Sequence, residues 1–183
     1  SIEDRVRRVE KELREVERKS TETVKRVEEE LEEVVRRSRE LVERVKERLK
    51  KMVEEVKRDT GEGEKLKRAE EMVRRLLREL EESNKKTKTL VDRLLEELRD
   101  SNKKTRDLVR ELLKKARDVL RRGGEKELED VERDVRRVLK EAEDNDRRVV
   151  ERVRRVLKEA EKHDRDVVRR VDEVLKRLKE EIR

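Results

Sequence analysis

The sequence predicts an all-α protein, an up-down-up antiparallel three-helix bundle with long, nearly straight helices. Three observations carry that expectation. Apolar residues, chiefly Leu and Val, recur every three or four positions along the chain, which is the period of one helix face. The residues between them are mostly Glu, Lys and Arg, all good helix formers, and Pro is absent. The four glycines fall in two short segments, Asp59-Thr60-Gly61-Glu62-Gly63 and Arg122-Gly123-Gly124, which cut the chain into three parts of similar length.

The first helix is expected over about 2–58. Its stripe runs from Ile2, Val6, Val9 and Leu13 through Ser20 and Ser38 to Leu49, Met52 and Val56, covering 54 residues in fifteen steps, a mean spacing of 3.6. A left-handed coiled coil would need 3.5 sustained over many heptads, so the helices should stay nearly straight. The second helix, about 64–121, repeats itself after eighteen residues: ESNKKTKTLVDRLLEELR from Glu82 is followed directly by DSNKKTRDLVRELLKKAR from Asp100. Leu90 and Leu108, Val91 and Val109, Leu94 and Leu112, and Leu95 and Leu113 are the resulting apolar pairs. The third helix, about 125–182, does the same with VRRVLKEAEDNDRRVVER from Val135 and VRRVLKEAEKHDRDVVRR from Val153. Eighteen residues make about five whole turns, so each repeat returns to the same helix face. The stripes span roughly 120 to 140° of each helix, wide enough to touch two neighbours. Loops this short make consecutive helices antiparallel, within a single elongated domain covering residues 1–183.

Composition excludes several classes. With 60% charged and 30% hydrophobic residues and no aromatic side chain, an ordinary globular core is not expected. Disorder is the first rival, and the helical periodicity rejects it. The net charge of +7 is the difference between 58 basic and 51 acidic residues interspersed throughout, a mixed surface rather than a basic patch. Arg-rich runs such as Val153-Arg154-Arg155 therefore read as solvated faces rather than a nucleic-acid site, and no aromatic is present to stack on a base. Apolar runs never exceed two residues, so no membrane span or targeting signal is recognisable. Cysteine is absent. Gly61-Glu62-Gly63 lacks the spacing and the following Lys-Ser or Lys-Thr of a phosphate loop.

Polar residues interrupt the stripes, and these too recur at eighteen: Ser20 and Ser38, Ser83 and Ser101, Asn84 and Asn102, Thr87 and Thr105, Asn145 and His163, Asp146 and Asp164. Facing residues of an antiparallel pair have a constant sum of residue numbers. Ser20 with Asn102 and Ser38 with Asn84 share one sum, and Asn102 with Asn145 and Asn84 with His163 share another. One register thus brings Ser20, Asn102 and Asn145 to one level and Ser38, Asn84 and His163 to a second, roughly 27 Å along the helices. Buried polar groups cost free energy unless paired, so matched layers satisfy one register and penalise others. Asp146 and Asp164 are expected to accept hydrogen bonds from these partners or from surface Lys and Arg.

The same residues contain other chemistries in outline. His163 with Asp164 is a possible metal or acid-base pair, but one His gives no ligand cluster, and the position a Glu-x-x-His pair requires is Ala160. Ser38, His163 and Asp164 are the residue types of a nucleophilic triad, without a recognisable oxyanion hole. A structural network is the favoured reading, with no enzymatic activity, no metal and no cofactor.

The repeated SNKKT of Ser83 to Thr87 and Ser101 to Thr105, the near-identical copies in the third helix, the Leu and Val stripes and the glycine loops resemble computationally designed, parametrically generated helical bundles with buried hydrogen-bond networks. That resemblance covers the whole chain and implies a rigid structural scaffold without enzymatic activity. The chain departs from strict repetition at His163, where Asn145 leads one to expect Asn, and in its many valines. A monomer that needs no partner is expected, with no nucleic acid and no membrane. The alternative is a designed binding module or assembly subunit that accepts a partner helix or a second copy, forming a homo-oligomer. Val35, Val42, Val53, Leu77, Leu95, Leu113, Val150 and Val168, which widen the stripes at one edge, motivate it.

Overall fold

In the computed structural model, which describes Ser1 to Ile182, the chain forms three helices: α1 (Ile2–Thr60), α2 (Glu64–Arg122) and α3 (Glu125–Ile182). All three pack against one another as an all-α three-helix bundle. The first two helices run slightly farther than expected, each to the residue before a glycine. Gly61 and Gly123 have φ of 78° and 70°, and their N–H groups donate to the carbonyls of Lys57 (2.9 Å) and Val119 (2.7 Å). A residue with a side chain would pay about 1–2 kcal/mol to adopt that left-handed conformation, so the glycine itself is the stop. Thr60 joins the last turn of α1 because its hydroxyl donates to the Val56 carbonyl at 2.7 Å. At the other end, the Ser1 hydroxyl accepts the Asp4 N–H at 3.3 Å. Acidic residues open each helix and basic residues close it, matching the helix dipole.

The packing divides into two compact units, Ser1–Glu30 with Arg93–Arg154, and Leu31–Asp92 with the chain from Arg155 onward. Each unit takes a piece of all three helices. In the first, Val6 and Leu13 of α1, Val109 and Ala116 of α2, and Leu128 and Val135 of α3 form a common apolar cluster. In the second, Leu49 and Val56, Leu66 and Ala69, and Val171 and Leu178 do the same. Burial of each such Val or Leu side chain contributes about 1.5–3 kcal/mol, which is what holds helices with so few apolar residues together.

Contacts within each unit establish helix direction. In the first, Arg106 pairs with Glu17 (3.6 Å) and Arg99 with Glu28 (2.8 Å), so α2 descends as α1 ascends. In the second, Arg170 pairs with Glu79 while His163 lies on Ser83, so α3 runs opposite to α2.

The stripes differ in detail from the periodic expectation. Leu90 and Leu108 are 46% and 43% exposed, whereas Val91 and Val109, one position on, are buried. Adjacent residues lie about 100° apart on a helix, and in a three-helix bundle only the valine of each pair points at the common core. Conversely Val42 and Leu95, expected at the edge of their stripes, are buried.

Candidate functional site

The residues that interrupt the apolar stripes form two sets, one in each unit. In the first unit Asn102 of α2 and Ser20 of α1 are both buried, and the Asn102 amide Nδ2 donates to Ser20 Oγ at 2.9 Å. Half-buried Asn145 of α3 donates from Nδ2 to Ser101 Oγ at 2.7 Å. The Ser101-Asn102 dipeptide therefore serves two neighbours at once. Asn102 faces α1, and Ser101, about 100° away around the helix, faces α3. Spacing alone puts Asn102 opposite Asn145; the structure instead divides the two contacts between adjacent residues of α2.

The second unit uses the eighteen-shifted residues with different bonds. Asn84 Nδ2 donates to the backbone carbonyl of Ser38 at 3.3 Å rather than to its hydroxyl. The Ser38 hydroxyl is thereby left to donate to Asp164 Oδ1, also at 3.3 Å. Ser83 Oγ is hydrogen-bonded to His163 Nε2, as Ser101 is to Asn145. The other ring nitrogen, Nδ1, is buried without a hydrogen-bond partner, 3.7 Å from Asp164 Oδ1.

Two sequence expectations are not met. Thr87 and Thr105 form no hydrogen bond between helices among the described residues; each hydroxyl donates at 3.2 Å to the carbonyl four residues back, Ser83 and Ser101 respectively. That local bond competes with tertiary partners for any mid-helix Thr. Asp146 accepts no hydrogen bond and forms no ion pair among the described residues, unlike Asp164. It sits half-buried in a cleft between α1 and α3, and burial pushes its carboxyl above the usual carboxylate range.

Ion pairs repeat the same spacing. Arg152 with Glu97 (2.6 Å) in the first unit corresponds to Arg170 with Glu79 in the second. Arg99 with Glu28 (2.8 Å) corresponds to Lys46 with Glu81 (3.0 Å), but with the charges exchanged between α1 and α2. On the exposed face of α1, guanidinium hydrogen bonds from Arg18 and Arg36 hold the carboxyls of Glu15 and Glu33 below their ordinary range.

The chemistry open to these groups is limited. Ser38 bonds Asp164 and His163 bonds Ser83, so Ser38, His163 and Asp164 are not linked in the order that would activate a hydroxyl through an imidazole. Among the described residues, no group of three or more His, Cys, Asp or Glu is placed to hold a metal ion. Among the described residues, no helix is long and apolar enough to cross a membrane.

The fold and its polar interior define a class: an all-α three-helix bundle with buried and half-buried side-chain hydrogen bonds between its helices. No family model, no curated protein and no solved structure matches the chain.

Proposed function

We propose that this chain is a computationally designed structural scaffold without enzymatic activity, in which interior polar side chains specify which residues of neighbouring helices face one another. The observation that carries this reading is the reuse of one contact scheme. Asn102 on Ser20 and Asn145 on Ser101 reappear, displaced by eighteen residues, as Asn84 on Ser38 and His163 on Ser83. Leu and Val seams alone accept many alignments. Moving one helix past another orphans these amides and hydroxyls, at about 1–3 kcal/mol for each buried group left unpaired.

The test removes the polar pairs of α1 and α2 together: Ser20→Ala, Ser38→Ala, Asn84→Leu and Asn102→Leu. Replacing both members of a polar pair with apolar groups is often neutral or stabilising. Spin labels at the exposed positions Glu22 and Asp100 report the alignment of the two helices. The expected result is a folded helical protein whose single inter-label distance becomes a broad or multiple distribution. A distance as narrow as the parent's, or loss of folding, defeats the reading.

A second reading, in which a partner helix or a second copy covers part of the surface, is favoured by the exposure of Leu90 and Leu108. Light scattering coupled to size exclusion separates the two. A mass near 22.3 kDa supports the self-sufficient scaffold, and a stable dimer supports assembly.

A further inference from the structure

The cleft entered by Asp146 has features of a ligand site. It lies between α1 and α3 of the first unit and encloses about 360 Å³, within the range of small-molecule pockets, about 300–1,000 Å³. Its floor is apolar: Val16 is buried, and Leu139 and Ala142 are half-buried. Leu139, Ala142 and Asp146 follow one another at intervals of three and four residues, so they share one face of α3. The floor therefore leads directly to the Asp146 carboxylate.

Among the described residues, no hydrogen bond or ion pair reaches that carboxylate. Its counterpart Asp164 accepts the Ser38 hydroxyl, whereas in the first unit the Ser20 hydroxyl accepts from Asn102 and makes no bond to Asp146. The basic residues of the cleft wall, Arg8, Lys11 and Lys19, are exposed, and side chains of this type keep their charged ends in water while their stems cover apolar surface. Of the other acids, Glu15 is held by Arg18, whereas Glu12 and Glu143 stand exposed at the rim, where they attract positive charge. Of the acids that line the cleft, the short Asp146 is half-buried while Glu12, Glu15 and Glu143 are exposed.

We propose that this cleft binds small amphiphilic organic cations, with an ammonium or amidinium head on the Asp146 carboxylate and a compact hydrocarbon body over Val16, Leu139 and Ala142. A charge-assisted hydrogen bond is roughly twice as strong as a neutral one, and it would form where the fold leaves an acceptor unused. The inference goes beyond the scaffold reading and stands or falls independently of helix register.

Benzamidinium is the probe, titrated into the uniformly ¹⁵N-labelled full chain while backbone amide shifts are followed. Saturable shifts confined to the neighbourhoods of residues 8–19 and 139–146 are expected, weakening as salt screens the charge. Neutral benzamide and anionic benzoate should bind at least about tenfold more weakly, the equivalent of one charge-assisted contact. Asp146→Asn should cost a similar factor, and Ala142→Leu, which fills the floor, should abolish the shifts while the helical signal is kept. Asp164→Asn, in the other unit, should leave binding unchanged. Equal binding by the Asp146→Asn variant, stronger binding of benzoate through Arg8, Lys11 and Lys19, or shifts scattered over the whole surface would each overturn the proposal.

Discussion

Truncating Asn102 to Ala should destabilise the protein more than truncating Asn84, although the two occupy equivalent positions of the repeat. Asn102 is 8% exposed and Ser20 3%. Removing the amide deletes the 2.9 Å bond, worth about 1 kcal/mol, and strands the Ser20 hydroxyl, for about 1–2 kcal/mol more, a total of about 2–3 kcal/mol. Asn84 is half-buried and donates at 3.3 Å to a backbone carbonyl inside α1, which its own helix also serves. The Ser38 hydroxyl keeps its bond to Asp164 in that variant. The loss for Asn84→Ala is therefore about 1 kcal/mol or less. Guanidinium unfolding followed by the helical circular-dichroism signal measures both, provided the two variants share the same denaturant slope. Equal midpoints, or a greater loss for Asn84→Ala, would show that the burial of the hydrogen bond does not set its worth.

Two other substitutions probe the places where the repeats diverge. His163→Asn should leave stability unchanged or raise it by about 1 kcal/mol, because it removes the orphaned Nδ1 and restores the amide that Asn145 uses on Ser101; a clear drop in the guanidinium midpoint would mean the imidazole packs better than its bonding suggests. Asp146→Asn should stabilise the protein at neutral pH by less than about 1 kcal/mol, since the group is largely screened. The sign follows from linkage: the folded-state carboxyl is raised above its unfolded value, so the folded protein binds the proton more tightly, and the cost of Asp146 is present at neutral pH and disappears on acidification below the ordinary carboxylate range. Glu15 and Glu33 shift the other way and lose their contribution on acidification, so variant and parent must be compared at each pH. A difference between them that is constant with pH would contradict the burial of Asp146.

The helices were legible in the sequence because their signals are local. A 3.6-residue period, absent prolines and glycine stops each act within a few turns, and the boundaries erred only where Thr60 and Arg122 extend a helix up to its glycine. The pairing of Ser20 with Asn102 was legible because antiparallel neighbours in straight helices hold a constant sum. What could not be read was the rotation of each helix about its axis. That angle decides whether Leu90 or Val91 faces the core, and whether Ser101 or Asn102 meets α3, and it is set by packing among three helices together rather than by any one stripe. Thr87 and Thr105, expected in the polar levels, bond within α2 for another reason. A hydroxyl with a carbonyl one turn away needs no tertiary partner, and nothing in the repeat distinguishes the two fates.

A strict repeat creates an ambiguity that the ion pairs oppose. Displacing α1 against α2 by eighteen residues would still present Ser to Asn at one level, with Ser38 facing Asn102 or Ser20 facing Asn84, but it strands the other pair on apolar residues, Ser20 on Leu120 and Asn84 on Val56, or Ser38 on Leu66 and Asn102 on Ile2. The exchanged charges add to that penalty. After such a slip Lys46 would meet Arg99, or Glu28 would meet Glu81, where the native alignment has Arg99 on Glu28 and Lys46 on Glu81. Each like-charge encounter at the surface costs at most about 1 kcal/mol, far less than the constraint from a three-residue loop, which by itself forbids a displacement of five turns within one chain. Between two chains the loops impose nothing. There the stranded Ser and Asn and the inverted ion pair together tell a native alignment from a shifted one, and their effect is greatest where α1 of one copy could replace α1 of another.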